Sequence, residues 1–157
     1  MQPAWQDVLD RFRYGIYLVS ITIEGQDNAM VASWATQCSH EPPLVSVAIR
    51  NNRLSCAQIR QAGAFCISVL PRESLALIKQ FKIPDWPRKF DGLTCRRSPQ
   101  GALIPENIIG FLDCAVEHTI PAGDHTLFIG RVVAGEFLND LEPLSTADYG
   151  GSYRGMV

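Results

Sequence analysis

The chain has five cysteines and no C-x-x-C pair among them. Cys38, Cys56, Cys66, Cys95 and Cys114 are odd in number and widely spaced, which argues against a zinc knuckle or a redox dithiol. Unpaired thiols point to a reducing compartment, so the cytoplasm is the expected location. There is no surplus of positive charge. Fourteen lysines and arginines against sixteen aspartates and glutamates leave a net charge of −2, whereas a general nucleic-acid binder carries a basic excess. No apolar stretch nears the roughly 20 residues that span a bilayer, and no basic segment followed by an apolar core opens the chain, so neither a membrane anchor nor a signal peptide is expected. Finally, the three histidines and the carboxylates form no dense cluster. An enzyme without its own acids, bases or nucleophiles usually borrows reactivity from a bound organic molecule.

What remains is ordinary globular material. The 157 residues, 46% apolar and 19% charged, fit one domain over 1–157 that buries a sizeable core. Trp5, Val8, Leu9 and Phe12 recur at helical spacing, so residues 4–12 read as a short amphipathic helix. Gly15–Glu24 is rich in β-branched and aromatic residues and reads as a first strand, closed by the turn-like Gly25-Gln26-Asp27-Asn28. Ala29–Gln37 reads as its hairpin partner and Leu44–Ile49 as a third strand. Asn52 is a plausible N-cap for a helix to about Ala62, with Cys56, Ile59 and Ala62 on one face. Ala64–Leu70 reads as a fourth strand, and Arg72–Phe81 as a helix with Leu75, Ile78 and Phe81 inward. Residues 82–100 form a long proline-bearing connection, of the kind that tends to be functional. Ile108–Ile120 and Leu127–Phe137 read as two long strands. Such a mix of strands and two or three helices predicts a mainly antiparallel sheet closed into a small barrel.

Three segments carry chemistry. In Met30–Ser39, small, hydroxyl-bearing and aromatic side chains alternate. On one strand Ala32, Trp34 and Thr36 would share a face and Val31, Ser33 and Ala35 the other. A planar ring can lie against such a surface; the plain alternative is a barrel strand with a buried Trp and satisfied hydroxyls. In Arg50–Ser55, a helix starting near Asn52 or Arg53 turns unpaired N–H groups and positive dipole toward what precedes it. With Arg50, Arg53 and Ser55 beside it, this is a candidate phosphate cradle; the alternative is an ordinary helix start with solvated arginines. In Gly123-Asp124-His125-Thr126, the glycine permits a tight turn and Asp124 can orient the His125 imidazole, or the segment is only a hairpin turn with a surface histidine. Trp86-Pro87-Arg88-Lys89 is either a basic lip over a phosphate or a solvated loop. Residues from about 139 to 157, ending in Tyr149-Gly150-Gly151-Ser152-Tyr153-Arg154, read as a lid, a dimer arm or a frayed end.

Taken in order, Ala32-Ser33-Trp34-Ala35-Thr36-Gln37, Ser39 followed by Pro42-Pro43-Leu44-Val45, Arg53-Leu54-Ser55, Lys89-Phe90-Asp91-Gly92 and Gly123-Asp124-His125-Thr126 resemble the flavin reductase-like, FMN-binding split-barrel family. The resemblance runs from about Phe12 to Arg154. It is strongest to a subgroup in which the domain occurs alone or joined to rubredoxin or flavodiiron modules. It implies a homodimer of split barrels, with FMN rather than FAD near the subunit interface. It also implies hydride transfer from NADH or NADPH to flavin, then release to a partner oxygenase or onward electron transfer to a protein. By resemblance, Val31, Ala32, Ser33, Trp34, Ala35, Thr36 and Ser39 line the flavin ring. Arg50, Asn51, Asn52, Arg53, Leu54 and Ser55 hold the ribityl phosphate with Lys89, and His125 lies near the nicotinamide. Many members carry Thr where this chain has Val31, so a backbone group replaces one ring contact. Metal binding by His40, His118 and His125 is unsupported by their spacing, so no metal is expected.

Overall fold

The computed structural model of the chain describes residues 1–149. The first β-branched run forms β1 (Tyr17–Ile23), which turns directly into β2 (Gln26–Ala32). Glu24 and Gly25 make that turn with φ of 51° and 76°, the left-handed pair whose twist matches the flanking strands. The hairpin is therefore tighter than the composition of residues 25–28 suggests, and Gln26, Asp27 and Asn28 belong to the strand.

The expected single strand Ala29–Gln37 is two strands. β2 stops at Ala32, and β3 (Ala35–Ser39) begins after Ser33 and Trp34. β4 (Leu44–Arg50), β5 (Ala64–Val69), β8 (Gly110–Ala122) and β9 (His125–Phe137) complete an antiparallel seven-stranded sheet in the order β2-β1-β5-β8-β9-β4-β3. β6 (Cys95–Arg97) and β7 (Leu103–Pro105) pair separately. The break between β2 and β3 shapes the fold. In a flat sheet those edges would lie six strand spacings, or roughly 29 Å, apart. The three Cα–Cα steps from Ala32 to Ala35 span about 11 Å at most. The sheet must therefore curl until its edges nearly meet, giving a barrel split along one seam, and Ser33-Trp34 is the stitch across it. The expected split β-barrel is the architecture found.

Alternation along the strands loads both faces of the sheet. Val19, Ile21, Val47, Ile49, Phe65, Ile67 and Phe128 pack with Cys56 and Ile59 of α2 (Leu54–Ala62) in one cluster. Leu18, Cys66 and Phe111 face the other way, onto Leu77, Ile78 and Phe81 of α3 (Leu75–Phe81) and onto Ile104, Ile108 and Leu144. β9 runs so close to its neighbours that a Cβ at Gly130 would sit 2.7 Å from the Cys114 Cβ and 2.8 Å from the Phe65 ring.

Several helix details differ from the sequence reading. Arg53, not Asn52, is the N-cap of α2, with extended backbone and no side-chain cap. Ser55, Cys56 and Ile59 are its buried residues and Ala62 is exposed. The helix ends where Gly63 adopts φ 65° and its N–H donates to the Ile59 carbonyl at 2.8 Å, an αL stop. Arg72–Ser74 is a 3-10 turn preceding α3, and Leu75 is exposed while Leu77 points inward. α1 (Ala4–Leu9) buries no residue, and Trp5, Val8 and Leu9 face outward. The connection over 82–100 holds a 3-10 turn at Trp86–Arg88 as well as β6.

The segment from residue 139 to 149 is strapped to the body. Leu144 is buried, bridges join Pro71 to Pro143 and Gly15 to Ser145, and the Tyr14 N–H donates to the Thr146 hydroxyl at 3.1 Å. The rest of the lid-or-arm expectation, on residues 150–157, lies outside the described residues. Among the described residues, no helix is long and apolar enough to cross a membrane. All five cysteines are free; burial pushes the Cys114 thiol up to about 12 and Cys66 higher still, which leaves both unreactive.

Candidate functional site

Where the barrel edges meet, the sheet leaves a cleft of about 380 Å³. One wall is the end of β2 and the stitch, with Val31, Ala32, Ser33 and Trp34. The stitch is anchored to the opposite edge, because the Ala48 N–H donates to the Trp34 carbonyl at 2.9 Å. Facing it are the end of β4 with Arg50 and the start of α2 with Arg53, Leu54 and Ser55. The loop leaving α3 contributes Lys82, Ile83, Pro84 and Trp86, with Lys89 beyond it.

The charge of this lining is one-sided. Arg50, Arg53, Lys82, Lys89 and His125 line the cleft and no Asp or Glu does, in a chain whose net charge is −2. Lys89 is only 8% exposed, and its Nζ donates to the Ala29 carbonyl at 2.7 Å. Burial, then the nearby Arg53 guanidinium, holds its pKa below the ordinary lysine value. A cation kept in such a place favours a neighbouring anion, which relieves both penalties. The first turn of α2 adds N–H groups and positive dipole at the same end. Below it, the buried Asn28 amide donates to Gln58 Oε1 at 2.7 Å and to Ser55 Oγ at 3.4 Å, while its Oδ1 accepts the Ala29 N–H at 2.8 Å. These bonds fix α2 against β2.

His125 opens β9, directly across from Arg50 in the ladder. Its ring stacks on Trp34 with centroids 4.7 Å apart and planes tilted by 33°. Its Nδ1 lies 2.6 Å from Asp124 Oδ1. The hairpin tip bearing both residues, with Gly123 at φ 64°, is clamped to the end of β4. The Asn51 N–H donates to the Asp124 carbonyl at 2.9 Å, and Asn51 Oδ1 accepts the Thr126 hydroxyl at 2.6 Å. Thr126 in turn accepts Arg60 Nη2 at 2.9 Å. Asn51→Ala should lower stability by about 1–2 kcal/mol through the lost bond to Thr126, measured by urea denaturation. A loss below a few tenths would show that the clamp bears no strain.

The structure thus gathers Val31, Ala32, Ser33, Trp34, Arg50, Arg53, Leu54, Ser55, Lys89 and His125 around one cleft. Ala35, Thr36 and Ser39 lie on β3 beyond the stitch, and Asn51 and Asn52 sit in the turn before α2; none of these five lines it. Asn51 instead braces the hairpin that carries His125. Residues that sequence reasoning missed include Asn28, Ala48, Phe81, Lys82, Ile83 and Pro84. Asn28 resembles a turn residue, and only the proline-bearing character of the 82–100 connection signalled that its first residues matter.

A family model, the flavin reductase like domain, matches residues 9–156. The chain belongs to this family. Among its relatives, a flavin reductase of Pseudomonas putida is 32% identical over 159 residues, covering all of this chain and 92% of that protein. A high molecular weight rubredoxin of Moorella thermoacetica is 31% identical over 94% of this chain. The match spans 66% of that protein, so about a third of it has no counterpart here. Among solved structures, nitrilotriacetate monooxygenase component B from Mycobacterium thermoresistibile superposes with a TM-score of 0.82 at 26% identity, covering 90% of this chain and 79% of that one. The split barrel found here is this family's fold.

Proposed function

We propose that this chain is an NAD(P)H-dependent flavin reductase that works in the seam cleft. The observation that carries the reading is the cleft's lining: five groups able to bear positive charge, one of them a buried lysine, and no carboxylate. That donor set fits a flavin phosphate. Arg53, Ser55, Lys89 and the first N–H groups of α2 would hold it. Small side chains at Ala32, Ser33 and Ala48 leave room for a planar ring against the stitch. When bound, flavin supplies the two-electron chemistry that the side chains lack. The protein's part is placement. The stitch and the start of α2 fix facing walls, Pro84 and Trp86 add to the lining, and the Trp34–His125 pair offers a polar-edged aromatic surface for a nicotinamide. Holding donor and acceptor in contact is the main catalytic task. FMN rather than FAD, a homodimer, and a cytoplasmic setting that suits five free thiols complete the proposal.

Two fates for the electrons follow from the relatives. The monooxygenase component favours a reductase that serves an oxygenase. The rubredoxin relative favours transfer to an electron-transfer protein. Anaerobic stopped-flow absorbance tests the reading: mixing the FMN-loaded protein with NADH or NADPH should bleach the flavin band within seconds. Bleaching only after a rubredoxin-type partner is added would make the chain an electron-transfer module. No bleaching with either nucleotide or partner would end the proposal.

A further inference from the structure

Asn28 and Ala29 hold two parts of the cleft that come from distant places in the chain. β2 is an edge strand, and at Ala29 side chains close its free side where another strand would otherwise pair. The Ala29 N–H donates to Asn28 Oδ1 at 2.8 Å, and the Ala29 carbonyl accepts Lys89 Nζ at 2.7 Å. A backbone N–H can only donate. The end of the Asn28 amide that faces it is therefore the oxygen, and the other end is the NH2 group. One hydrogen of that group goes to Gln58 Oε1 at 2.7 Å and the other to Ser55 Oγ at 3.4 Å. The longer bond is weak, yet it sets the direction of the hydroxyl, because no other donor among the described residues reaches Ser55 Oγ. Ser55 thus accepts from Asn28 and keeps its own proton to give. Among the described residues no acceptor receives that proton. Ser55 is buried, at 3% exposure, and lines the cleft, so a buried donor is left for a ligand that accepts.

We infer that Asn28 is a positioning residue for the anion end of the cleft: its amide turns the Ser55 hydroxyl outward as a donor, so that Ser55 and Lys89 together select a phosphate dianion, a group with acceptors only. This rests on the reading that a flavin phosphate occupies that end, and it adds what aligns the side chains that would hold it. Asn28 and Ala29 are adjacent on β2, whereas Ser55 opens α2 and Lys89 follows the turn after α3. Two neighbouring residues on one strand therefore set the spacing of two donors that are 34 residues apart in sequence (89 − 55). Asn28 acts on the phosphate through Ser55, with both of its own amide hydrogens already given to Gln58 and Ser55.

The test is a double-mutant cycle read by titrating apoprotein with FMN and with riboflavin at pH 8, where the phosphate is a dianion. Ser55→Ala should weaken FMN binding about tenfold, the loss of one hydrogen bond to a charged group. Asn28→Ala should weaken it about as much, with riboflavin affinity within about twofold of wild type. In the Ser55→Ala background, Asn28→Ala should cost less than about twofold more. A merely structural Asn28 would lower both flavins' affinities together, or add its full loss in the double variant, and either result overturns the inference. Where Asn28→Ala does not fold, Asn28→Asp replaces it. The aspartate keeps an oxygen for the Ala29 N–H but offers Ser55 an acceptor, so the hydroxyl turns inward and FMN affinity should drop at least tenfold; unchanged affinity overturns the inference. A readout without flavin separates this inference from the reading beneath it. In the apoprotein, ¹⁵N–¹H NMR of the Asn28 side-chain amide should show one of its two protons shifted by Ser55→Ala. No shift removes the Asn28–Ser55 contact and the inference with it, even where FMN binding is intact. A shift together with a wild type that binds FMN no tighter than riboflavin removes the phosphate reading, and with it the role of Asn28 there.

Discussion

Lys89→Met is expected to weaken FMN binding by about 100-fold, the loss of one or two charge-assisted hydrogen bonds to a phosphate. Fluorescence titration of the apoprotein would measure it. Riboflavin, which lacks the phosphate, should bind the variant and the wild type alike. The same substitution should leave the apoprotein within about 1 kcal/mol of wild-type stability, because a buried cation beside Arg53 is replaced by an apolar chain of similar length. Lys89 keeps one N–H on the Ala29 carbonyl, and its remaining donors are what the ligand would use. pH dependence follows with a definite sign. Burial and Arg53 hold the folded-state value below the unfolded value of 10.5, so the unfolded chain binds more protons than the folded one in that window. Apoprotein stability from this group therefore rises as pH climbs from the lowered value toward 10.5. FMN binding has the opposite sign. A seated phosphate dianion favours the charged lysine, so affinity falls as pH rises through the lowered value. Equal FMN affinity in Lys89→Met and wild type would remove Lys89 from the phosphate site.

Phe128→Ala is expected to lower stability by about 3–5 kcal/mol, the range for deleting a buried phenyl ring. Phe128 is fully buried in the cluster that joins β4, β5, β9 and α2, and the Arg60 guanidinium lies 5.9 Å from its ring centre. For a chain of this length the change corresponds to roughly 8–15 °C in Tm, which scanning calorimetry would resolve. Phe128 does not line the cleft, so flavin affinity measured well below the transition should stay within a few-fold of wild type. A loss under about 1 kcal/mol would mean that the barrel interior collapses around the gap, contrary to the tight approach at Gly130.

The parts of the fold legible in the sequence were those governed by local patterning. β1, β4, β5 and the long β8–β9 hairpin announce themselves through β-branched runs, and their ends fall within about two residues of the reading. The stitch at Ser33-Trp34 was not legible. No Gly or Pro marks it, and residues 29–37 keep an unbroken strand-like composition. The interruption comes from curling a seven-stranded sheet until its edges meet, which is a tertiary demand. The start of α2 moved for a similar reason. β4 continues to Arg50, and Asn51 is drawn to Thr126 and the hairpin tip, so the cap falls on Arg53 rather than on the asparagine that propensity favours. α1 has the apolar spacing of a packed helix and touches no core within this chain, a face that spacing alone cannot assign.

The site was legible in its polar anchors and opaque in its walls. Arg53, Ser55, Lys89 and His125 stand out as chemistry without a structural reason, and they converge although up to 72 residues separate them. Asn28 reads as a turn residue because the turn ends three positions earlier than composition suggests. Lys82, Ile83 and Pro84 carry no motif and enter the lining only because α3 packs its Phe81 beneath them. Thr36 and Ser39 share a segment with the stitch residues but fall beyond the break, on the opposite edge of the barrel.

The central claim is that the cationic end of the seam cleft is built for a flavin phosphate. Isothermal titration of the wild-type apoprotein with FMN and, separately, with riboflavin tests it most directly. The expected result is FMN binding at least ~100-fold tighter, lost progressively as salt is raised. Equal affinity for the two, or no binding of either, would contradict it.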